Sequence, residues 1–348
     1  IDPIGLIDRY GADALRFTLA AMAAQGGRDI KLAESRVEGH RNFATKLWNA
    51  ARFAEINGCA RNADYDPLTV RATLNRWILG EAARAVNEVS AAIETFRFND
   101  AASAAYRFIW NVFCDWCLEL AKPVLQGADS PEKEETQATI AYVLDDILKL
   151  LHPFMPFLTE ELWAATAGAA GRPQLLAVSA WPTPGDLDGR AAEDEIGWLI
   201  ELVLEIRSVR SETGVPAGAQ LPLVLVEASP AVALHARTWE GAIKRLARIS
   251  EITFADAAPA GSAQIFAGGG VAALPMAGVV DLTAERGRLA KERDKELKEV
   301  ERIDAKLANA DFLNRAPEEV IEENRERREL AVARIAKIEA ALARIGTS

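Results

Sequence analysis

The chain has 348 residues, of which half are apolar and 26% are charged, a composition typical of soluble globular proteins of two or three domains. Its formal net charge of −11 excludes a generic polyanion-binding surface, so any nucleic-acid site must be a local basic patch. Its three cysteines do not suffice for a disulfide framework, and no apolar run is long enough to span a membrane.

The first residues predict a turn followed by a helix. IDPIGL (1–6) contains Pro and Gly and indicates a turn, whereas residues 8–25 have helical spacing. This beginning has no signal-peptide pattern and no initiator Met. We therefore expect a cytoplasmic piece of a longer chain.

Residues 36–180 predict an antiparallel bundle of about four or five helices, because apolar residues recur at helical spacing with few glycines. The predicted breaks are rich in Gly, Pro, Asn or Asp and lie at 56–67, 96–100 and 126–134. Another helix is expected to start near Pro156. A Pro/Gly/Asp-rich linker at 181–195 follows the bundle.

Residues 196–281 predict a small α/β domain, because the hydrophobic period changes along this part of the chain. Two helices are expected, at 196–212 and 231–248. The expected strands are rich in β-branched or apolar residues and lie at 221–227, 252–255, 263–266 and 271–282. Gly268–Gly270 lacks the Lys and Ser/Thr that follow the glycines of a phosphate loop, so we expect a plain loop there.

Residues 282–348 predict an antiparallel coiled-coil hairpin that reaches toward a partner. The first helix has a thin apolar stripe formed by Leu289, Leu297, Val300, Ile303 and Leu307. The stripe of the second helix is formed by Ile335, Ile338, Leu342 and Ile345. A Pro-containing turn at 310–317 separates the two helices, each roughly 35–40 Å long at 1.5 Å per residue. The fold class is thus mainly α, with a bundle, a small α/β domain and this hairpin.

No complete catalytic or metal site is predicted. Cys114 and Cys117 form a CxxC motif, but it lies in a helical pattern, and neither Cys59 nor the three histidines supply a complementary pair of ligands. We expect two small core residues there rather than a zinc or redox site. No Ser/His/Asp arrangement and no Gly-rich phosphate loop can be argued from the sequence, so no cofactor site is expected.

Segment 41–53 carries a polar stripe typical of surfaces that bind single-stranded RNA. On a helix, Asn42, Lys46, Asn49 and Phe53 lie about 90° from the apolar core face, with Arg41 and Arg52 beside them. An aromatic ring among amides and cations can stack on an unpaired base and bond its edge. The alternative is that Phe53 packs on a neighbouring helix while the polar residues face water.

The first hairpin helix carries a second candidate surface, which we call the basic ribbon. Six of the eight Lys/Arg residues between 286 and 306 fall within about 80° of one helix face, and none of the six Asp/Glu residues does. The ribbon consists of Arg288, Lys291, Lys295, Lys298, Arg302 and Lys306. A merely solvated face would mix both signs, so we expect the ribbon to contact a phosphate backbone. The cations of the second helix are spread around its axis, and no comparable ribbon is expected there.

Several blocks of this sequence together resemble the valyl-tRNA synthetases, a family of class I aminoacyl-tRNA synthetases, over all 348 residues. The blocks are IDPIGLIDRYGADALRFTLAAMAAQGGRDIKL, RVEGHRNFATKLWNAARF, FRFNDAASAAYRFIWNVFCDWCLELAKPVL, LLHPFMPFLTEELW, IRSVRSETGVPAG and KLANADFLNRAPEEVIEENRER. Several of them also occur in isoleucyl and leucyl relatives. A coiled-coil hairpin at the C-terminus favours the valyl family, since an isoleucyl enzyme would end in a cysteine-rich zinc module.

This resemblance implies a role for each part of the chain. The implied parts are a stem-contact-like segment (1–35), an anticodon-binding helical bundle (36–180), a linker (181–195), a small α/β domain (196–281) and an arm that contacts the tRNA elbow (282–348). Lys46, Arg52 and Phe53 match the family helix that meets the anticodon, with Phe53 as the stacking platform. The Lys-Met-Ser-Lys-Ser and His-Ile-Gly-His motifs of the family do not occur in this sequence. The ATP, valine and editing sites are therefore expected outside the chain, which should be inactive alone.

The implied partner is tRNA(Val), bound by a cytoplasmic monomer that contacts neither DNA nor a membrane. The resemblance implies no cofactor in this chain, and ATP with magnesium in the whole enzyme. Three alternatives stay open at this point. One is the same portion of an isoleucyl- or leucyl-type synthetase, and another is a free-standing tRNA-binding module. The third is a non-catalytic coiled-coil interaction module, whose activity would survive removal of the basic ribbon.

Overall fold

The computed structural model describes residues 2–23, 32–62, 64–168, 171–183, 189–276, 278–279, 282–309 and 318–344. The chain divides into two compact units, Ile1–Ile196 and Gly197–Ser348. The first unit is helical, and the second combines helices with a four-stranded sheet. Within the described ranges, no helix combines the length and the apolar character needed to cross a bilayer.

The first unit is built of α-helices and one π-helical segment. Its helices are α1 (Pro3–Tyr10), α2 (Ala12–Met22), α3 (Glu34–Ile56), α4 (Thr73–Glu94), α5 (Phe98–Tyr106), α6 (Leu118–Leu125), α7 (Pro131–Leu151) and α8 (Pro156–Ala165). A π-helical segment, Arg107–Cys117, joins α5 to α6. The predicted breaks at 56–67, 96–100 and 126–134 coincide only in part with the connections between helices, because α5 begins at Phe98 and α7 at Pro131. The predicted helix start at Pro156 is confirmed.

The core of the first unit lies where α3, α4, α7 and the π-helical segment contact one another. The apolar residues of α3 that recur at helical spacing are buried, among them Phe43 and Leu47. Ile78 of α4, Ile109 of the π-helical segment and Ile147 of α7 are also fully buried. This packing fixes which side of α3 faces the core and leaves its polar stripe on the outside.

The prediction of a turn at residues 1–6 was wrong, because α1 begins at Pro3. The Asp2 carboxylate accepts hydrogen bonds from the backbone N–H groups of Ile4 and Gly5, at 3.1 and 3.2 Å. A capping Asp followed by Pro at the first helical position starts a helix as readily as it forms a turn.

The sheet of the second unit is mixed, with strand order β2-β1-β4-β3. The strands are β1 (Leu221–Val226), β2 (Ile249–Ala255), β3 (Ser262–Ala267) and β4 (Gly270–Pro275). β1 pairs with β2 in parallel and with β4 antiparallel, and β3 pairs with β4 antiparallel. Two short helices, α10 (Pro230–Thr238) and α11 (Glu240–Ala247), connect β1 to β2. The predicted mixture of helices and short strands is confirmed, although β4 ends at Pro275, before the predicted 282.

α9 (Arg190–Glu212) starts six residues before the helix predicted at 196–212, so its first turns occupy part of the predicted linker. The acidic residues of this first part interact favourably with the helix dipole, and Glu193 pairs with Arg84 at 2.7 Å.

The loop predicted at Gly268–Gly270 is confirmed as the tight connection between β3 and β4. Gly268 has a φ of +55°, and a Cβ there would lie 2.4 Å from the Trp198 ring, so only glycine fits.

α12 (Leu282–Leu307) and α13 (Glu318–Arg344) pack side by side in opposite directions. Their contacts run in reverse order along the second helix, at Asp304–Arg328, Glu296–Arg334 and Leu289–Ile338. Leu289, Ile303 and Ile338 are buried, as their apolar stripes predict. Leu297 is 39% exposed instead, because it lies about 80° from the centre of the stripe. The turn predicted at 310–317 and Ile345 lie outside the described residues.

Candidate nucleic-acid interface

The polar stripe of α3 lies on the surface of the first unit. Its exposed residues are Arg41, Asn42, Asn49 and Arg52, and its half-buried residues are Lys46 and Phe53. Arg52 forms an ion pair with Glu55 of the same helix at 2.9 Å. Because the apolar residues of α3 face the core, all six predicted residues project from the outer side of one helix. We call this surface the α3 face.

Lys46 is held by two side chains of the π-helical segment. Its Nζ lies 3.7 Å from the centroid of the Trp110 ring and forms an ion pair with the Asp115 carboxylate. A cation over an indole ring contributes about 0.5–2 kcal/mol, depending on how far it is desolvated. The Trp110 ring is itself stacked on Tyr106, with centroids 5.6 Å apart and planes 10° apart. Lys46 is therefore a positioned cation rather than a freely moving surface lysine.

The sequence prediction missed Trp110 and Asp115, for a geometric reason. Residues five apart are separated by about 140° on an α-helix, so regular helical spacing places these two on different faces. The i→i+5 hydrogen bonding of a π-helix brings such residues to the same side. The available signal was the block FIWNVFCDWCLEL (108–120), whose aromatic residues and Asp115 stand out from the apolar pattern.

Phe53 lies near the C-terminal end of α3 with its ring partly uncovered. Lys122 of α6 places its Nζ 5.9 Å from the centroid of this ring and also forms an ion pair with Glu119. Among the described residues, no other aromatic ring stacks on Phe53. A half-buried ring with a cation nearby is compatible with stacking on an unpaired base.

The CxxC motif lies inside the π-helical segment, with Cys117 buried and Cys114 half-buried. Burial raises the pKa of the Cys114 thiol to about 12, and it raises the pKa of Cys59 to about 12 as well. Such thiols are almost fully protonated at neutral pH, so they are poor nucleophiles and poor metal ligands. In the described part of the chain, no three His, Cys, Asp or Glu residues form a group that could hold a metal ion.

The basic ribbon is exposed along the described part of α12. Lys291, Lys295 and Lys298 have no ion-pair partner among the described residues. The other ribbon residues do have partners, in the pairs Arg288–Glu292, Arg302–Glu299 and Lys306–Asn324. Three neighbouring lysines therefore present their full positive charge to the solvent.

A groove of about 840 Å³ runs between α12 and α13. Its α12 side is lined by four cations and three acids, namely Lys291, Lys295, Lys298 and Arg302 with Asp294, Glu296 and Glu299. Its other lining residues on α13 are Arg327, Leu330, Ala331 and Arg334. Of the cations of the second helix, Arg327 and Arg334 line this groove, whereas Arg325 and Arg328 are not among its lining residues. Arg327 and Arg334 are seven residues apart, which brings them within about 20° of each other on a helix.

Two family models match the chain. The model described as the anticodon-binding domain of tRNA ligase matches residues 75–225, from α4 to β1, and leaves α3 outside. The model described as the valyl tRNA synthetase tRNA binding arm matches residues 281–346, which include α12 and α13. The fold and these matches define the class of protein, the tRNA-binding part of an aminoacyl-tRNA ligase.

Curated relatives narrow this class. The valine--tRNA ligases of Rhodopseudomonas palustris, Bradyrhizobium diazoefficiens and Nitrobacter winogradskyi are 55%, 54% and 52% identical to this chain, each over 99% of it. The chain belongs to the valyl-tRNA synthetase family and corresponds to the C-terminal part of these relatives. It spans 39% of the length of each of them.

Among solved structures, the ternary complex of Agrobacterium radiobacter K84 agnB2 LeuRS with tRNA and LeuAMS is similar to this chain at a TM-score of 0.41 and 17% identity. The alignment covers 73% of this chain and 30% of that one. This similarity is too low to define a shared fold.

Proposed function

We propose that this chain is the tRNA-recognition portion of a valyl-tRNA synthetase. It binds the anticodon of tRNA(Val) on the α3 face and the tRNA elbow on the basic ribbon. The observation that carries the proposal is the charge of the ribbon. Three lysines without an ion-pair partner among the described residues lie side by side on a chain whose net charge is −11. Segregated positive charge of this kind suits a phosphate backbone.

The α3 face supplies the base-specific part of the proposed contact. Phe53 offers a partly open ring for stacking, and the exposed amides of Asn42 and Asn49 can bond the edges of unpaired bases. Lys46 is held beside them by Trp110 and Asp115. Bases in an anticodon loop are unpaired, so a surface of this kind can read their sequence.

The hairpin supplies the sequence-independent part. α12 and α13 act as a coiled-coil arm whose thin apolar seam keeps the helices together and leaves the ribbon free for RNA. Each domain predicted from the sequence is thus given a role. The bundle at 36–180 makes the base-specific RNA contacts, and the arm at 282–348 makes the sequence-independent ones. The small α/β domain at 196–281 connects them along the chain. Residues 1–35 are proposed to contact the stem.

Amino-acid activation is assigned to a part of the whole enzyme outside this chain. A valine--tRNA ligase attaches valine to tRNA at the expense of ATP with magnesium. We also propose that the protein works in the cytoplasm and that this chain is a monomer.

Exchanging the anticodon tests the proposal. Binding of a tRNA(Val) transcript to the chain is compared with binding of the same transcript carrying an unrelated anticodon. We expect at least tenfold weaker binding of the second transcript at equal salt, because the α3 face would lose its base contacts while the ribbon keeps its phosphate contacts. Equal binding of both transcripts would remove the anticodon from the proposal. Equal binding of duplex DNA of similar length would reduce it to nonspecific attraction.

A further inference from the structure

One carboxylate in the hairpin groove is held by two arginines from different helices. Glu299 of α12 accepts hydrogen bonds from Arg302, at 2.7 and 2.9 Å. It also pairs with Arg327 of α13 at 2.8 Å. The Glu299 side chain is 25% exposed, whereas Arg302 and Arg327 are 65% and 58% exposed. The acid thus lines the groove and is less exposed than either of the two guanidinium groups that contact it.

Two guanidinium groups that converge on one anion form a typical phosphate-binding arrangement. Guanidinium donors fit a carboxylate and a phosphate with the same forked geometry, and both are charge-assisted contacts. The bonds from Arg302 lower the pKa of Glu299, so its carboxylate stays ionised at neutral pH. Glu299 therefore occupies, as an anion, the position that a bound phosphate would take.

We propose that Arg302 and Arg327 form a phosphate-binding fork that Glu299 closes in the free protein, and that an RNA backbone phosphate replaces the Glu299 carboxylate. This inference rests on the proposed function of the arm. It adds a residue of the second helix to the interface, and it assigns Glu299 as a competitor of the RNA rather than a contact.

The exchange is physically reasonable, because the ion pairs that must open are exposed and such pairs contribute little to stability. Lys291, Lys295 and Lys298 line the same groove and attract the backbone before the fork opens. An isolated small anion gains no help from these lysines, so the fork favours a polyanion that engages several cations at once. Without RNA, the Glu299 bridge also links the two helices of the hairpin, as charged pairs do in coiled coils.

The test is the variant Glu299→Gln, measured with a tRNA(Val) transcript over a range of salt concentrations. Removing the competing charge should raise the affinity at low salt at least threefold. The slope of log affinity against log salt should stay close to that of the unaltered chain, because the same phosphate occupies the fork in both complexes. The matched control is Glu322→Gln, which removes the same charge. Glu322 pairs with Arg325 on α13 at 3.2 Å and does not line the groove, so its loss should raise the affinity less.

A second variant shows whether the gain depends on the fork. Adding Arg327→Ala to Glu299→Gln should remove the gain, whereas adding Arg325→Ala should preserve most of it. Arg327→Ala alone should lower the salt slope by about one. That single variant decides the question if Glu299→Gln reduces the helix content seen by circular dichroism. Equal effects of the two glutamine variants, or an unchanged slope in Arg327→Ala, would overturn the inference.

These outcomes are distinguishable from failure of the proposed function. If the unaltered chain binds the transcript with a steep salt dependence and only the fork variants behave like their controls, the fork alone is wrong. If the unaltered chain does not bind the transcript, the proposed function fails, and the fork fails with it.

Discussion

At the scale of single residues, the candidate interface depends on side chains whose position is fixed by their neighbours. Lys46 is an example, because the Trp110 ring and the Asp115 carboxylate hold its ammonium group beside the α3 face. A long flexible side chain loses rotamer freedom when it binds RNA, and part of that cost is met in the folded protein before binding. Phe53 is the complementary case, a half-buried ring with Lys122 nearby.

Phe53→Ala should weaken binding of a valine-type anticodon stem-loop by about 1–3 kcal/mol, the usual contribution of one base–aromatic stack. The helix content measured by circular dichroism should change little, because the ring is only half-buried. The control is Phe43→Ala on the same helix. Phe43 is fully buried, so its loss should lower the free energy of unfolding by about 3–5 kcal/mol. If Phe53→Ala destabilises the fold like Phe43→Ala and leaves RNA binding unchanged, Phe53 is a core residue.

The cysteines should be unreactive in the folded protein. Burial raises the pKa of Cys59 and Cys114 to about 12, so less than about one thiol in ten thousand is ionised near neutral pH. We expect iodoacetamide to leave the native chain unmodified and to alkylate all three cysteines in denaturant. Mass spectrometry counts the adducts. Rapid alkylation of the native CxxC pair, or one zinc ion per purified chain, would show that Cys114 and Cys117 form a reactive or metal-binding site.

At the scale of elements, the helices and strands that could be predicted are those whose apolar residues recur at a regular spacing in the sequence. The core face of α3, the helix start at Pro156 and the mixture of helices and strands after residue 196 follow from apolar spacing and from Gly/Pro breaks. The π-helical segment was not predictable in this way, because its i→i+5 pattern rotates each residue away from its α-helical position. The Lys46–Trp110–Asp115 contact depends on that rotation and was missed for the same reason.

In the hairpin, contacts between the two helices could not be predicted from the sequence pattern of either helix alone. Spacing within α12 predicted the basic ribbon, but a helical wheel of one helix contains no information about its neighbour. Arg327 and Glu299 meet only because α12 and α13 pack against each other. Leu297 was predicted to belong to the buried stripe but is exposed. It lies beside the thin seam, and the partner helix covers only the centre of the stripe.

Replacing Lys291, Lys295 and Lys298 with Ala should reduce the slope of log affinity against log salt by about two to three, because each lost phosphate contact removes roughly one unit. These lysines have no ion-pair partner among the described residues, so their full charge is lost. Ala favours helix, so α12 should remain folded. Binding should weaken similarly for different tRNA species when measured by filter binding.

The matched control for this triple variant replaces Arg286, Arg293 and Arg325, which lie on the same two helices outside the groove. It removes the same charge and should reduce the slope less. Equal slopes for the two triple variants would mean that the ribbon is only a solvated face.

At the scale of the whole molecule, charge and family membership together limit the possible function. Residues 285–345 contain 15 basic and 15 acidic residues, so the net charge of −11 belongs to the rest of the chain. An acidic chain repels RNA in general, which makes a local surface such as the basic ribbon a selective place of contact. Composition predicted that any RNA site must be local, whereas the division of work between anticodon and elbow came from the family resemblance.

The chain alone should not activate valine. We expect no valine-dependent exchange of pyrophosphate into ATP, because the catalytic motifs of the family do not occur in its sequence. The full-length valine--tRNA ligase of Rhodopseudomonas palustris serves as the positive control in the same assay. Exchange above background with this chain would contradict the assignment of activation to another part of the enzyme.

Footprinting of tRNA(Val) tests the central claim most directly, because it shows in one measurement which parts of the RNA the chain covers. The transcript is cleaved by hydroxyl radicals with and without saturating chain, at a salt concentration at which nonspecific binding is weak. The proposal predicts protection of the anticodon loop and of the elbow, with the elbow protection lost in the Lys291, Lys295 and Lys298 triple variant. Uniform protection along the RNA, or none at either place, would contradict it.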